Sequence, residues 1–298
     1  MRTLTTGRRG KALAFCEEIP MIRLSDKLRI YPERAFGGFS DIDGTVLFYT
    51  RIRALLTTSS IVLDVGCGRG EYADDAVAFR RKHRILRGSC AKVIGLDVDL
   101  AASSNPFIDV FHLLNGSVWP IGNETIDVCV MDWVVEHLPD PLAAFKEMHR
   151  VLKPGGAACL RTTNRLSIPG IGATLIPNRL HAKALQFLQE RRKEEDVFPT
   201  LHRCNTVSSL RKTLDAAGLE SVAYGYESEP AYFAFSAAAF AAMGRLRGFI
   251  PSRFRTTLFG FARKPAPTTT AVSKHVSRFC STNETDFKSA AEEAAGRL

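Results

Sequence analysis

The sequence lacks the features that mark disulfide-rich, metal-binding or membrane-spanning proteins. Its seven cysteines form no Cys-x-x-Cys pair, and Cys129 and Cys159 fall inside apolar runs, which indicates reduced structural thiols and predicts no metal site. The longest uncharged run, residues 230–244, has fifteen residues, fewer than the roughly 20 needed to span a bilayer. Residues 1–15 are basic but contain no apolar segment of the secretory type. We therefore expect a cytoplasmic protein; a transit peptide at the N-terminus is the less favoured alternative.

Negative charge is missing from two long stretches. Residues 76–96 carry six Lys or Arg and residues 230–283 carry eight, with no Asp or Glu in either stretch. Such patches suit a phosphate-bearing substrate, an anionic membrane surface or nucleic acid, while a solvated basic face is the alternative. Because residues 230–244 are apolar and arginines follow them, we expect a lipophilic acceptor and peripheral contact with an anionic membrane more than RNA binding.

A glycine-rich turn follows the first apolar strand. Residues 61–72 read IVLDVGCGRGEY, where Ile61 to Leu63 form the β-branched and aliphatic run of a buried strand. Gly66, Gly68 and Gly70 allow positive φ and leave bare backbone against which a ligand can lie. Dinucleotide folds place the third glycine one residue later to seat a pyrophosphate. The spacing therefore favours a ligand without a pyrophosphate, with a plain strand-to-helix turn as the alternative.

Further strands and helices alternate along the chain. We predict strands over 91–96, 110–114, 125–131, 157–162, 219–226 and 256–263, a helix over 141–152 capped by Asp140 and stopped by KPGG at 153–156, and a helix from Asn205 or Thr206 to Ala217. Asp97 ends the second strand, where an acid can accept both hydroxyls of a ribose. Asp132 and Trp133 follow the fourth strand, at the edge where open α/β sheets bind ligands.

Four motifs in order give the chain a family resemblance. They are DVGCGRG at 64–70, GLD at 95–97, Ile126-Asp127 with EHLPD at 136–140, and RVLKPGG at 150–156. Over about residues 40–164 the chain resembles the class I S-adenosylmethionine-dependent methyltransferases, in the branch with the ubiquinone and menaquinone biosynthesis enzymes. The resemblance implies an α/β fold: a Rossmann-like seven-stranded sheet with an antiparallel last strand and helices on both faces.

The resemblance also implies a domain division. Residues 36–263 form the methyltransferase domain, with substrate-side insertions at about 165–204, which includes a basic helix over 179–196, and at about 227–255. Residues 1–35 form a partly flexible N-terminal extension, and the Thr, Ser and Ala-rich residues 264–298 form a largely disordered tail.

The cofactor that the resemblance implies is S-adenosyl-L-methionine, and its contacts carry over residue by residue. The expected cofactor-binding residues are Asp64 near the amine, Gly66, Cys67, Gly68 and Gly70 along the methionine part, Asp97 and Val98 at the ribose, Asn115, Gly116 and Ser117 beside adenine, and Asp132 and Trp133 beside the methyl group. The family often has an aspartate where this chain offers Asn115. Phe48 or Tyr49 resembles the N-terminal cap that closes over the cofactor, with a core aromatic as an equally favoured alternative, and Tyr49 is expected on the substrate side.

In methyl transfer the protein mainly aligns the acceptor and excludes water, because the sulfonium of the cofactor already activates the methyl group. An oxygen or carbon acceptor can also need a base. His137 is the first candidate, with a structural histidine as an equally favoured alternative. His202 is the second candidate, and the neighbouring Arg203 can bind an anionic group of the substrate.

The leading functional hypothesis is methyl transfer to a small or lipid-like acceptor at O, C or N. The alternatives are an RNA or protein methyltransferase, a non-catalytic S-adenosylmethionine-binding partner, and an NAD-dependent oxidoreductase, which the glycine spacing opposes. The fourth strand ends in Met131-Asp132-Trp133, so it lacks the Asn/Asp-Pro-Pro-aromatic motif of base-amine methylation. It also has no Pro-Cys nucleophile for cytosine, and nucleic acid is therefore not favoured.

Overall fold

One twisted sheet organises the chain. The computed structural model describes residues 22–175 and 199–266. Within them the strands are β1 (Ile61–Val65), β2 (Lys92–Asp97), β3 (Val110–Leu113), β4 (Ile126–Asp132), β5 (Leu152–Thr163), β6 (Glu220–Tyr226) and β7 (Thr257–Arg263), in the spatial order β3-β2-β1-β4-β5-β7-β6. Strands β1 to β5 pair in parallel, and β7 runs antiparallel to both β5 and β6. The predicted seven-stranded sheet with an antiparallel last strand is confirmed.

Seven α-helices lie within the described residues, and several of them begin at a capping side chain. They are α1 (Leu24–Ile30), α2 (Gly44–Leu55), α3 (Ala78–Arg84), α4 (Pro141–Val151), α5 (Ile168–Leu175), α6 (Val207–Ala216) and α7 (Ala237–Leu246). Asp140 caps α4 by accepting the backbone N–H of Ala143, with Pro141 at the first helical position. Thr206 caps α6 in a capping box with Ser209. The Asp140 cap is the one that the sequence predicts, and the structure selects Thr206 over Asn205 as the cap of α6.

The KPGG motif does more than stop a helix. Helix α4 ends at Val151, and residues 153–156 lie in the first part of β5. Gly155 adopts φ +80° and donates its N–H to the carbonyl of Lys264, while the N–H of Lys264 returns to the carbonyl of Gly156. A Cβ on Gly156 would lie 2.8 Å from the carbonyl oxygen of Lys153. The motif therefore joins the start of β5 to the end of β7, which the expectation of a helix stop did not include.

The core lies on both faces of the sheet. On one face Phe145 of α4 and Leu210 of α6 pack with Met131 of β4. On the other face Phe48 of α2 packs with Val130 of β4. Neighbouring residues of β4 thus point to opposite sides, as the two-residue period of a strand requires, and helices cover both faces as predicted.

Helices α1 and α7, with the residues that follow each of them, form a cap at the carboxyl edge of the sheet. Because β6 is parallel to β5, the connection from β6 to β7, which contains α7, leaves the sheet at the same edge as the connections after β1 to β5. Tyr31, which follows α1, packs edge-to-face on Phe240 of α7. Arg34 forms an ion pair with Glu229, which also accepts a hydrogen bond from Ser40 Oγ at 2.7 Å. A cavity of about 810 Å³ separates α1 from α7 and contains none of the expected cofactor residues.

The remaining predictions on the fold concern membranes, thiols and the outer segments. Among the described helices, none is long and apolar enough to cross a membrane. The five cysteines in the described ranges are unpaired. The predicted basic helix over 179–196 and the predicted tail beyond residue 266 lie outside the described residues.

Phe259 of β7 tests the packing of the antiparallel end of the sheet. It is fully buried, with its ring stacked 4.9 Å from that of Tyr226 and 5.5 Å from that of Phe48. We expect Phe259→Ala to lower the free energy of unfolding by about 3–5 kcal/mol, because it removes buried apolar surface and leaves a cavity. In denaturant unfolding, Val222→Ala on the adjacent β6, a residue 62% exposed, should change that free energy by about 0.5 kcal/mol. Equal losses would contradict this account of the core.

Candidate functional site

Acidic side chains stand on three neighbouring strands at the carboxyl edge. Asp64 lies in β1, Asp97 ends β2 and Asp132 ends β4. The order of strands reverses between β1 and β4, so the connections that follow them diverge and leave a crevice. The fold therefore brings the acids that sequence analysis selected to one ligand-binding edge.

The glycine turn is held by contacts on its inner side. Gly66, Gly68 and Gly70 adopt φ values of +68°, +55° and +85°, the left-handed region that glycine adopts readily. A Cβ on Gly66 would lie 2.4 Å from Val134 Cγ2, and one on Gly70 would lie 2.9 Å from Asn105 Oδ1. Gly66 and Gly70 are therefore required for the turn to pack.

Gly68 differs from its two neighbours in the turn. A Cβ there would meet only the flexible carboxylate of Glu71, at 3.3 Å, so its backbone stays open to a ligand. Asn105 Nδ2 donates to the carbonyls of Cys67 at 3.0 Å and Gly68 at 3.1 Å. Sequence analysis did not select Asn105, because an asparagine in a polar loop gives no signal until the fold places it beneath the turn.

Asp97 joins the second strand to the glycine turn. Its Oδ2 accepts the N–H of Gly68 at 2.9 Å and its Oδ1 accepts the N–H of Asp99 at 2.9 Å. A carboxylate oxygen can accept more than one hydrogen bond, so Asp97 can bind ribose hydroxyls while it holds the turn. Val98 beside it is 56% exposed and offers an apolar surface next to that position.

The expected adenine loop follows β3. Its residues Asn115, Gly116 and Ser117 are exposed. The loop starts beside the second strand, because the N–H of Leu114 donates to the carbonyl of Asp97 at 2.7 Å. This position is compatible with contact to adenine, which stays a prediction.

Asp64 is an acid without a hydrogen-bond donor among the described residues. Burial raises the pKa of its carboxyl to about 7, helped by the negative charge of Asp132 and opposed by Arg84. A half-buried carboxylate that lacks a partner gains from a cationic ligand. The expected role of Asp64 beside an ammonium group fits this environment.

Asp132 is bound tightly by a neighbouring strand. Arg161 of β5 donates from Nε to Oδ1 at 2.6 Å and from Nη2 to Oδ2 at 2.7 Å, and Tyr49 donates its hydroxyl to Oδ2 at 3.1 Å. The side chains of Arg161 and Asp132 are 4% and 8% exposed. Burial by itself raises the pKa of Asp132, but the guanidinium of Arg161 outweighs it and holds the pKa below its usual value.

Arg161 was missed by sequence analysis. The only available signal is a charged residue near the carboxyl end of an otherwise apolar buried strand. Its partner Asp132 is 29 residues away in the chain, and nothing in the local sequence predicts the pairing.

The choice between Phe48 and Tyr49 is decided by the orientation of α2. Phe48 is fully buried against Phe259, whereas Tyr49 donates to Asp132 at the site. Tyr49 lines a cavity of only about 10 Å³. The other residues around this cavity are Asp64, Tyr72, Arg84, Leu86, Val93, Phe107 and Val130. Binding of a methionine-sized group there therefore requires side chains to move.

Trp133 has an unusual backbone conformation. Its φ is +62°, and its N–H donates to the carbonyl of Arg161 at 2.8 Å. The guanidinium of Arg161 lies 5.1 Å from the centre of the indole ring, within cation–π range. A non-glycine residue in the left-handed region costs on the order of 1–3 kcal/mol, and such strain clusters at functional sites.

The two candidate bases lie near each other but in different settings. His137 Nδ1 is 3.0 Å from the carbonyl oxygen of Pro199, so that nitrogen carries a proton and joins two loops. His202 adopts φ +50°, and its Nδ1 lies 3.4 Å from Thr163 Oγ1 at the end of β5. Burial lowers the pKa of His202, and Arg165 and His137 lower it further, which favours the neutral ring at pH 7.

Arg203 follows His202 in the same loop. Its side chain is exposed, so it is not enclosed with His202 in the described structure. Its expected role at an anionic group of the substrate stays a prediction.

A buried polar chain supports the loop that carries His202. Thr162 Oγ1 donates to Glu136 at 2.6 Å, and Asn205 Nδ2 donates to Thr162 Oγ1 at 2.7 Å. The backbone N–H of His202 donates to the carbonyl of Glu136 at 3.1 Å. The chain connects β5, the turn after β4 and the start of α6, and sequence analysis found no signal for it.

The comparison with protein families agrees with this geometry. A model described as a methyltransferase domain matches residues 45–224. The chain belongs to the class I S-adenosylmethionine-dependent methyltransferases. The matched residues include the glycine turn, all three acids and β1 to β5, and S-adenosylmethionine is the cofactor of the family.

Individual relatives cover part of the chain. A probable S-adenosylmethionine-dependent methyltransferase of Mycolicibacterium smegmatis is 33% identical over 47% of this chain and 55% of its own length. A demethylmenaquinone methyltransferase of Lysinibacillus sphaericus is 28% identical over 55% of this chain and 72% of its own. The chain thus spans about half the length of the first of these relatives.

Solved structures resemble the fold. A methyltransferase from Methanosarcina mazei is 19% identical, with a TM-score of 0.44 over 73% of this chain and 98% of its own.

The described residues fit this cofactor. Asp64 offers a negative charge for its ammonium group, Asp97 offers acceptors for its ribose, and Gly68 lacks the side chain that would cover the backbone between them. Asp64 and Asp97 lie on the adjacent strands β1 and β2.

Asp64 predicts a pH dependence of cofactor binding. Since its pKa is about 7, more of the carboxylate forms between pH 5.5 and 7.5, and affinity for the ammonium-bearing S-adenosylhomocysteine should rise by about tenfold per pH unit below that pKa. Calorimetry over this range measures the slope. Asp64→Asn should remove it, whereas Asp74→Asn, which changes a nearby exposed carboxylate, should retain it. A flat profile in the unaltered protein would contradict the assignment.

Proposed function

We propose that this protein transfers a methyl group from S-adenosylmethionine to O, C or N of a small or lipid-like acceptor. One observation supports the binding of the methyl donor: the glycine turn, Asp64 and Asp97 meet at the carboxyl edge of β1 and β2. When bound, the cofactor supplies an activated methyl group. The chain supplies binding, alignment and exclusion of water.

In this proposal the methyl acceptor binds at the ends of β4 and β5. Trp133 and His202 both adopt the left-handed conformation, and the loop that carries His202 is anchored on Glu136. In this proposal the indole of Trp133 forms an apolar wall and the neutral imidazole of His202 accepts the proton of an oxygen or carbon acceptor. His137 holds the loop by its hydrogen bond to Pro199.

A lipid-like acceptor is favoured by the cap and by one relative. The relative from Lysinibacillus sphaericus is named for demethylmenaquinone, a lipid-like molecule. In the cap, Phe249 is 84% exposed and Leu246 is also exposed, next to Arg245 and Arg247. Apolar side chains among arginines suit peripheral contact with an anionic membrane, and we include this contact in the proposal.

The acceptor class is tested by transfer of label from S-adenosylmethionine into cell extract separated into lipid, RNA, protein and small-molecule pools. The proposal expects label in the lipid or small-molecule pool. Label in the RNA or protein pool would overturn the proposal and would instead support an RNA or protein methyltransferase. Calorimetric binding of S-adenosylhomocysteine without any label transfer would favour a non-catalytic binding partner, and binding of NAD in its place would overturn the donor assignment.

His202 is tested by substitution once an acceptor is found. His202→Ala should lower the rate of methyl transfer by about 10²- to 10⁴-fold, the usual contribution of a general base, and leave the affinity for S-adenosylhomocysteine unchanged. Because burial lowers the pKa of His202 below 6.5, the rate of the unaltered protein at saturating S-adenosylmethionine should be level near pH 6.5 and above, and should fall as the pH drops through the lowered pKa. His137→Ala serves as the comparison: its rate should keep a pH dependence with the midpoint moved upward, because His137 contributes to the lowered pKa of His202. A His202→Ala enzyme with full rate would remove the residue from the chemistry.

A further inference from the structure

Arg84 places a guanidinium group in the cofactor pocket. It is the last residue of α3, and its Cζ lies 4.7 Å from the ring centre of Tyr72 and 5.7 Å from that of Tyr49. Burial lowers the pKa of Arg84, but the neighbouring Tyr49 and Asp132 outweigh it and raise the pKa. The group is therefore a cation held between two aromatic faces.

The hydrogen-bonding capacity of Arg84 is only partly used. Its Nε is buried and has no hydrogen-bond partner among the described residues. Its Nη2 lies 3.5 Å from Asp132 Oδ2, which is longer than the 2.6 Å and 2.7 Å contacts that Arg161 makes with the same carboxylate. Because Arg161 already neutralises Asp132, Arg84 is available to a second anion, and a buried donor without a partner is unfavourable.

The partner of opposite charge in this pocket is Asp64. Both Asp64 and Arg84 line the same small cavity, and neither carboxylate oxygen of Asp64 accepts a hydrogen bond from the described residues. An unpartnered carboxylate and a partly used guanidinium match the two charged groups of an α-amino acid. The methionine part of S-adenosylmethionine carries both groups.

We propose that Arg84 binds the carboxylate of the methionine part of the cofactor, opposite Asp64, which binds its amine. The assignment rests on the proposed function. Because the cavity measures only about 10 Å³, the guanidinium shifts from Asp132 toward the ligand when the cofactor enters. Asp132 then keeps its bonds to Arg161 and Tyr49, so the shift leaves no buried carboxylate unpaired.

The test compares two ligands that differ in the amino-acid part. S-adenosylhomocysteine carries the carboxylate, and 5′-methylthioadenosine lacks both carboxylate and amine. Arg84→Gln should weaken calorimetric binding of S-adenosylhomocysteine by about 10- to 100-fold, the usual size for a hydrogen bond to a charged group. Its affinity for 5′-methylthioadenosine should stay within about threefold of the unaltered protein.

Two further variants make the result specific. Lys82→Gln removes an exposed positive charge from the same helix and should leave the affinities for both ligands unchanged. This control distinguishes direct contact of Arg84 with the ligand from the effect of the overall positive charge of α3. Arg84→Lys keeps the charge without the planar fork and should give a smaller loss for S-adenosylhomocysteine alone. Thermal unfolding shows whether Arg84→Gln folds, and Arg84→Lys replaces it in the binding test if it does not.

The outcomes separate this assignment from the proposed function. Equal weakening of both ligands, or no weakening of either, in a folded Arg84 variant would overturn the role of Arg84. Absence of S-adenosylhomocysteine binding in the unaltered protein would instead overturn the proposed function. A loss confined to S-adenosylhomocysteine supports the assignment.

Discussion

The buried ion pair between Asp132 and Arg161 is the constraint on which the site depends. Two charges that leave water carry a desolvation penalty, which is offset only when their hydrogen bonds are well made. Here Arg161 donates twice to Asp132 and once to Thr45 Oγ1 at 2.8 Å, and its guanidinium lies over the rings of Phe48 and Trp133. The pair thereby holds the ends of β4 and β5 against the start of α2.

Strain at the acceptor side is sustained by that arrangement. Trp133 keeps its left-handed backbone because its N–H is bound by the carbonyl of Arg161. His202 is held in the same conformation by the carbonyl of Glu136, whose carboxylate is satisfied by Thr162. In the proposed function, these two strained residues at the same edge, each fixed by a polar contact, give the acceptor a preformed surface beside the donor pocket.

Donor and acceptor sides differ in how closely they follow the family. The proposed donor side is built from short local motifs on β1 and β2, and its acids and open glycine backbone suit the charged and polar parts of S-adenosylmethionine. The cap is made from α1 and α7, segments that are distant in the chain and joined by contacts such as Tyr31 on Phe240. In the proposed function, substrate selection belongs to the cap and to the loop that carries His202.

The sequence by itself determined the order of the strands along the chain, the helix cap at Asp140, the glycine turn and the placement of Asp97. These follow from periodicity, capping chemistry and φ preference, which act over a few residues. Only the tertiary structure decided that Tyr49 and not Phe48 faces the site, that Arg161 neutralises Asp132, that Arg84 enters the pocket, and that KPGG joins β5 to β7. Those outcomes depend on contacts between distant residues, 83 apart for Tyr49 and Asp132 and 116 apart for Thr45 and Arg161. Electrostatic pairing of this kind leaves no local pattern, because its partners become neighbours only when the sheet closes its core.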